Sequence, residues 1–190
     1  MSTVPATKPP TDNQQLLQWV QEMAALTRPD RVVWCDGSEA ERERLTKLAV
    51  EEGVLIELNQ SKRPGCYYHR SNPNDVARVE NLTFICTPTK DDAGPTNNWM
   101  DPAEAYQKVG ALFAGSMVGR TMYVVPYVMG PLGSPLAKIG VEITDSVYVV
   151  LNMRIMTRMG QAALDMLGDS NDFNRGLHSV LDCNPERRYI

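Results

Sequence analysis

The chain has 190 residues, with 43% hydrophobic and 22% charged, and 19 basic side chains against 23 acidic ones give a net charge of −4. This is the make-up of a globular domain large enough to bury a core without metal or disulfide, which excludes a disordered, collagen-like or repeat-array protein. No block of basic residues is present, which argues against nucleic-acid binding.

Residues 1–13, with prolines at positions 5, 9 and 10, read as a flexible arm. Thr11 or Asp12 then offers a cap to a helix whose apolar face runs Leu16, Trp19, Val20, Met23 and Leu26. Pro29-Asp30 ends that helix, and residues 31–35 (RVVWC) read as a short buried strand. Ser38 with Glu41 three residues on spells a capping box for a second helix, running to about Glu52 and stopped by Gly53. A second strand is expected over residues 54–58, followed by a loop over residues 59–68. Asn72-Pro73 opens a short helix with Asp75 in its first turn and Arg78 near its end.

Residues 82–87 (LTFICT) predict a third strand, and residues 88–98 a polar loop. Asp101-Pro102 opens a helix with Ala105, Val109, Leu112 and Phe113 on one side, closed by Gly119. Residues 121–129 (TMYVVPYVM) are the most strand-like run, which Pro126 assigns to a sheet edge or a bulge. A turn-rich loop (GPLGSP) leads to a strand over residues 138–144, then to a buried helix from Asp145 to Gly160. A further helix reaches Leu167, and residues 177–181 read as a last strand. The alternation of helices and strands gives an α/β fold with a mixed sheet flanked by helices.

Cys35, Cys66, Cys86 and Cys183 include no pair two residues apart, so they read as free thiols of a cytoplasmic protein. Residues 1–14 lack the apolar core of a signal peptide, and the apolar run 122–132 is too short to span a bilayer. His69 follows Cys66 by three residues, but the second ligand pair of a tetrahedral metal site is missing, and His178 stands far away. The GPLGSP loop reads as a turn or as an anion cradle without the Walker ending. Arg154 and Arg158 sit four apart on the expected helix, either paired with Glu142 and Asp145 or free to bind an anion. Arg78 is either a solvated arginine beside Asp75 or Glu80, or a clamp for a carboxylate or phosphate. The doublets Glu51-Glu52 and Asp91-Asp92 read as solvated faces.

Five segments stand in a telling order: residues 75–80 (DVARVE), 92–102 (DAGPTNNWMDP), 119–126 (GRTMYVVP), 129–135 (MGPLGSP) and 140–160 (GVEITDSVYVVLNMRIMTRMG). With Arg28-Pro29-Asp30, RVVWCDGS and Leu177-His178-Ser179-Val180, this set resembles the amino-terminal, substrate-binding domain of bacterial GTP-dependent phosphoenolpyruvate carboxykinase. The resemblance runs from about Gln14 to His178, and the domain body is taken as residues 14–180. It implies the conversion of oxaloacetate and GTP to phosphoenolpyruvate, GDP and CO2, as in gluconeogenesis, with Mn²⁺ and Mg²⁺–GTP as cofactors. It also implies that Arg78, in the family's D-V-A-R motif, contacts the substrate carboxylate. The family's catalytic, metal-binding and nucleotide-binding residues lie in a later carboxy-terminal nucleotide-binding domain. None of them is expected in this chain, so the chain by itself is expected to be inactive and to bind none of these cofactors. Only Leu181-Asp182 separates the LHSV motif from Cys183-Asn184-Pro185, so residues 181–190 read as a truncated or altered tail. The alternatives are a non-catalytic dicarboxylate-binding or regulatory module and an inert truncated product.

Overall fold

The computed structural model describes residues 8–70 and 79–180. Its first half runs α1 (Gln14–Thr27), β1 (Arg31–Trp34), α2 (Glu39–Glu51), β2 (Ile56–Glu57), β3 (Tyr67–Tyr68), β4 (Phe84–Ile85) and β5 (Asn98–Trp99). The second half runs α3 (Pro102–Phe113), β6 (Thr121–Met129), β7 (Lys138–Thr144), α4 (Val147–Met156), β8 (Arg158–Met159), α5 (Gln161–Leu167) and β9 (Asn174–His178).

The two strands with the clearest apolar patterning, β6 and β7, pair antiparallel and form the middle of a mixed sheet ordered β1-β6-β7-β9. β1 runs parallel to β6 and β9 parallel to β7, while β8 joins β6 beyond the end of β1. Because side chains alternate across a strand, each face of the sheet collects its own core. Met122, Val124, Val141 and Ile143 pack with Leu16 and Val20 of α1 and Leu164 and Leu167 of α5. Tyr123 and Val125 pack on the other face with Leu45 and Ala49 of α2 and Val147 and Val150 of α4. This is the expected α/β arrangement of a mixed sheet between helices.

Pro126 is not at an edge. It lies inside β6, opposite Val141 of β7, and its carbonyl accepts from Gly160 N–H at 3.0 Å on the other side. A strand residue points its N and O the same way, so the N–H that proline lacks would face the interval between β1 and β8. β1 is bonded to β6 as far as Cys35 N–H to Val124 O, at 2.9 Å, and β8 begins opposite Tyr127. The missing donor therefore falls where no strand needs it.

The helix ends follow local chemistry with small shifts. Asn13, not Thr11 or Asp12, caps α1 by accepting from Leu16 N–H at 3.0 Å, and Arg28 closes it in the left-handed region at φ 54°. Asn13 also donates to the carbonyls of Gly168 and Ser170, at 2.7 and 2.9 Å, tying α1 to the end of α5. The capping box of α2 forms: Ser38 Oγ accepts from Glu41 N–H at 3.1 Å. The Glu41 carboxylate reaches back to the N–H groups of Gly37 and Asp36, at 2.8 and 3.1 Å. Ser38→Ala is expected to cost about 1 kcal/mol in urea unfolding; an unchanged midpoint would show that the Glu41 half of the box suffices.

Four expectations need correction. The runs 54–58 and 82–87 do not join the main sheet. They supply β2 and β4 of two small ribbons, β2–β3 antiparallel and β4–β5 parallel, with Ile56, Phe84 and Ile85 exposed. Val54 and Leu55 pack on the α2/α4 core, but each of the two runs finds only two ladder partners. The α3 helix ends at Phe113, through Gly115 at φ 73° rather than Gly119, and Phe113 alone of its expected apolar side is buried. The α4 helix stops at Met156, so Arg158 belongs to β8 instead of sharing a helical face with Arg154. β9 precedes the expected last strand, ending at His178.

Candidate functional site

Arg78, the expected substrate contact, lies outside the described residues, as do Asp75 and the Asn72-Pro73 helix start. The structure does describe what fixes the two flanks of that segment. On the entry side, His69 Nδ1 donates to the Val54 carbonyl at 2.7 Å, and its ring stacks on Tyr148 of α4 with centroids 3.9 Å apart. On the exit side, the Val79 carbonyl accepts from Leu82 N–H at 3.0 Å and from Thr83 Oγ1 at 2.8 Å. Asn98 Nδ2 then bonds the Glu80 carbonyl at 2.6 Å and the Thr83 carbonyl at 3.1 Å, and Trp99 Nε1 bonds the Thr87 carbonyl at 2.9 Å. The DAGPTNNWMDP motif thus serves as a brace for the strand that follows Arg78.

The other charged candidates have partners the sequence did not assign. Arg154 reaches Glu39 at 2.7 Å and the Gly37 carbonyl at 3.1 Å, pinning α4 to the start of α2. Arg158 Nη1 donates to the Gly130 carbonyl at 2.9 Å, so the GPLGSP loop is held by a strand arginine. Asp145 pairs with neither. Its carboxylate, fully buried, accepts from Arg120 Nη1 and Ser179 Oγ, both at 2.7 Å, and from Val180 N–H at 2.9 Å. His178 is buried and its Nδ1 lies 2.8 Å from Thr144 Oγ1, whose oxygen also accepts from Ser146 N–H. Burial pushes the Cys35 thiol well up, and the neighbouring Glu41 adds to the effect, so this cysteine is a core residue. Among the described residues, no group of three or more His, Cys, Asp or Glu could hold a metal ion, and no helix is long and apolar enough to cross a membrane.

Glu142 is the residue that sequence reasoning misplaced. The sequence offers it, with Asp145, as a partner for Arg154 and Arg158, but alternation along β7 sends Val141 and Ile143 into one core and Glu142 to the opposite face. That alternation was the available signal. Burial pushes its carboxyl from the ordinary 4.5 to about 7. Between those two pH values the folded chain keeps a proton that the unfolded chain loses. Stability therefore falls as pH rises through this window and levels off above it, by about 3 kcal/mol in all. Glu142→Gln is expected to flatten this slope in urea midpoints taken from pH 5 to pH 8; a slope that persists would assign it elsewhere.

An α/β domain with a mixed sheet between helices, His69 stacked on α4 before residues 71–78 and Asn98 bonded to the backbone after them, is the class that this geometry defines. The family model for the phosphoenolpyruvate carboxykinase N-terminal domain matches residues 18–189, and the chain belongs to that family. A relative from Anaeromyxobacter dehalogenans (strain 2CP-C), named phosphoenolpyruvate carboxykinase [GTP], is 73% identical over 190 residues, covering 100% of this chain and 32% of that protein. Relatives with the same name from Corynebacterium jeikeium and Corynebacterium kroppenstedtii are 54% and 58% identical over 171 residues. Those two matches cover 90% of this chain and 28% and 27% of the respective relatives. The chain thus spans about a third of the length of these relatives.

Proposed function

We propose that the chain is the substrate-binding amino-terminal portion of a cytoplasmic GTP-dependent phosphoenolpyruvate carboxykinase. The observation that carries this reading is the 73% identity along the whole chain to a protein of that name. In the proposed reaction oxaloacetate loses CO2, and the electron pair of the broken carbon–carbon bond becomes an enolate. The enolate oxygen attacks the γ-phosphorus of GTP, and the β–γ bridging oxygen leaves with GDP. Bound Mn²⁺ and Mg²⁺ would supply positive charge against the enolate and the phosphoryl oxygens. Both ions are assigned to the remainder of the longer protein, where the resemblance puts the family's metal-binding residues.

What this chain contributes is grip and orientation. The Arg78 guanidinium is assigned to the oxaloacetate carboxylate through two parallel hydrogen bonds. The His69–Tyr148 stack and the Asn98 bonds hold the flanks of its segment.

The test is calorimetric titration of the 190-residue chain with oxaloacetate, alongside an assay with GTP and Mn²⁺. Saturable binding in the millimolar range, weakened at least about tenfold by Arg78→Ala, and no phosphoenolpyruvate formation are expected. Binding indifferent to Arg78→Ala would remove that residue from the site. Turnover by the chain alone would place the catalytic groups within it.

A further inference from the structure

Tyr123 lies near the start of β6, on the α2/α4 face of the sheet, with only 4% of its surface exposed. Its hydroxyl forms no hydrogen bond with any described residue. It is aimed instead into a cavity of about 360 Å³, at the end of the sheet where β1 and β6 begin side by side. That volume is within the roughly 300 to 1,000 Å³ of small-molecule sites. A buried hydroxyl without a partner has lost its water and gained nothing in return, which favours a ligand that accepts from it. Burial, ahead of its charged neighbours, pushes the Tyr123 pKa up and keeps the group a donor at neutral pH.

Two charged side chains line the same cavity, and they form no ion pair with each other. Arg31 Nε donates to Thr121 Oγ1 at 2.5 Å. This bond fixes the guanidinium at the wall and leaves its two Nη groups without a partner among the described residues. Glu52 caps the end of α2, and its carboxylate likewise has no partner among the described residues. Asp145 and Arg120 also border the space, but they are engaged with each other at 2.7 Å. One cation and one anion remain, both within electrostatic reach of the Tyr123 hydroxyl. Leu48, one turn before Glu52 on α2, joins Val54 and Val147 in an apolar wall.

We propose that this cavity binds a small zwitterion, an α-amino acid with an aliphatic side chain. Its carboxylate accepts two parallel hydrogen bonds from the free edge of Arg31 and a third from the Tyr123 hydroxyl. Its ammonium donates to Glu52, and its side chain lies against Leu48, Val54 and Val147. The charge balance selects this class: a dicarboxylate is repelled by Glu52, and a plain amine by Arg31. The site is separate from the one assigned to Arg78, whose ligand carries two negative charges.

The experiment titrates the 190-residue chain with L-leucine and follows the amide NMR signals of Thr121 and Val147. Saturable shifts at millimolar concentrations are expected. Isocaproate keeps the carbon skeleton without the ammonium, and isopentylamine keeps it without the carboxylate. Each is expected to bind at least about tenfold more weakly than leucine. Tyr123→Phe removes an unpartnered hydroxyl, so its urea midpoint is expected to hold or rise while leucine affinity falls about tenfold. Arg31→Gln and Glu52→Gln, both at exposed positions, are expected to weaken leucine by at least as much. Absence of saturation overturns the proposal, as does binding that all three substitutions leave unchanged. Equal affinity for isocaproate, unaltered by Glu52→Gln, would make this an anion site and overturn the zwitterion. Displacement of leucine by an equal concentration of oxaloacetate would merge the cavity with the substrate site and overturn its independence.

Discussion

Gly160→Ala is expected to cost more than about 4 kcal/mol, a large share of the roughly 5 to 15 kcal/mol that holds a domain folded. Gly160 sits at φ 87°, ψ −145°, a region that residues with a Cβ scarcely enter. A methyl group there would overlap the carbonyl of Asp36, which is backbone and cannot swing aside. Nor can the glycine retreat, because its own N–H is bonded to Pro126 O in the middle of the sheet. On the other side of the contact, a Cβ at Gly37 would run into Met159. The start of α2 and the end of β8 therefore meet through bare backbone. Gly133→Ala is the matched control: φ there is 76°, with nothing within 4 Å, so a cost of about 1 kcal/mol is expected from the left-handed conformation alone. Circular dichroism melts of both variants decide the matter. A Gly160→Ala melting temperature within a few degrees of the Gly133→Ala value would show that the contact can relax.

Asp145→Ala is the second large effect, at about 3 to 5 kcal/mol. The carboxylate is fully buried and holds three donors from two parts of the chain: Arg120 before β6, and Ser179 and Val180 after β9. Removing it takes a buried carboxylate away from a guanidinium that is 22% exposed and from two shorter donors. Arg120→Ala in the Asp145→Ala background separates the two contributions. If the loss of the ion pair with the arginine dominates, the double variant is more stable in urea than Asp145→Ala alone. If the Ser179 and Val180 bonds dominate, it is not. Loss of the stretch after His178 from its place would also show as a smaller urea slope, since more surface would already be exposed in the native state.

The legible parts of this fold are those in which one local rule decides. β6 and β7 fall on the expected residues because their β-branched and aromatic runs are also the buried middle of the sheet. The α2 start was readable from Ser38 and Glu41, and the α3 start from Asp101 and Pro102, because caps act within three or four residues. The illegible parts depend on what lies opposite. Pro126 reads as an edge residue until β1 is seen to stop and β8 to start beside it. Residues 54–58 carry the composition of a core strand, yet no helix covers Ile56, which is 52% exposed. The partners of Arg154 and Asp145 are some 115 and 25 residues distant, beyond any periodicity. As for the site, motif order pointed to the family, which the comparisons establish. The brace around the Arg78 segment became visible only in three dimensions.

The placement of β1 on β6 also bears on how the protein is born. Arg31 emerges from the ribosome ninety residues before its register partner Thr121. At a translation rate of about 5 to 20 residues per second, β1 and the apolar side of α1 wait on the order of ten seconds for the strand that will cover them. The β6–β7 hairpin closes through a short loop and can form as soon as it is made, so it is the natural template on which the earlier segments collect. Until then the nascent chain offers a holdase the very surfaces, Leu16, Val20 and Val32, that the finished sheet conceals.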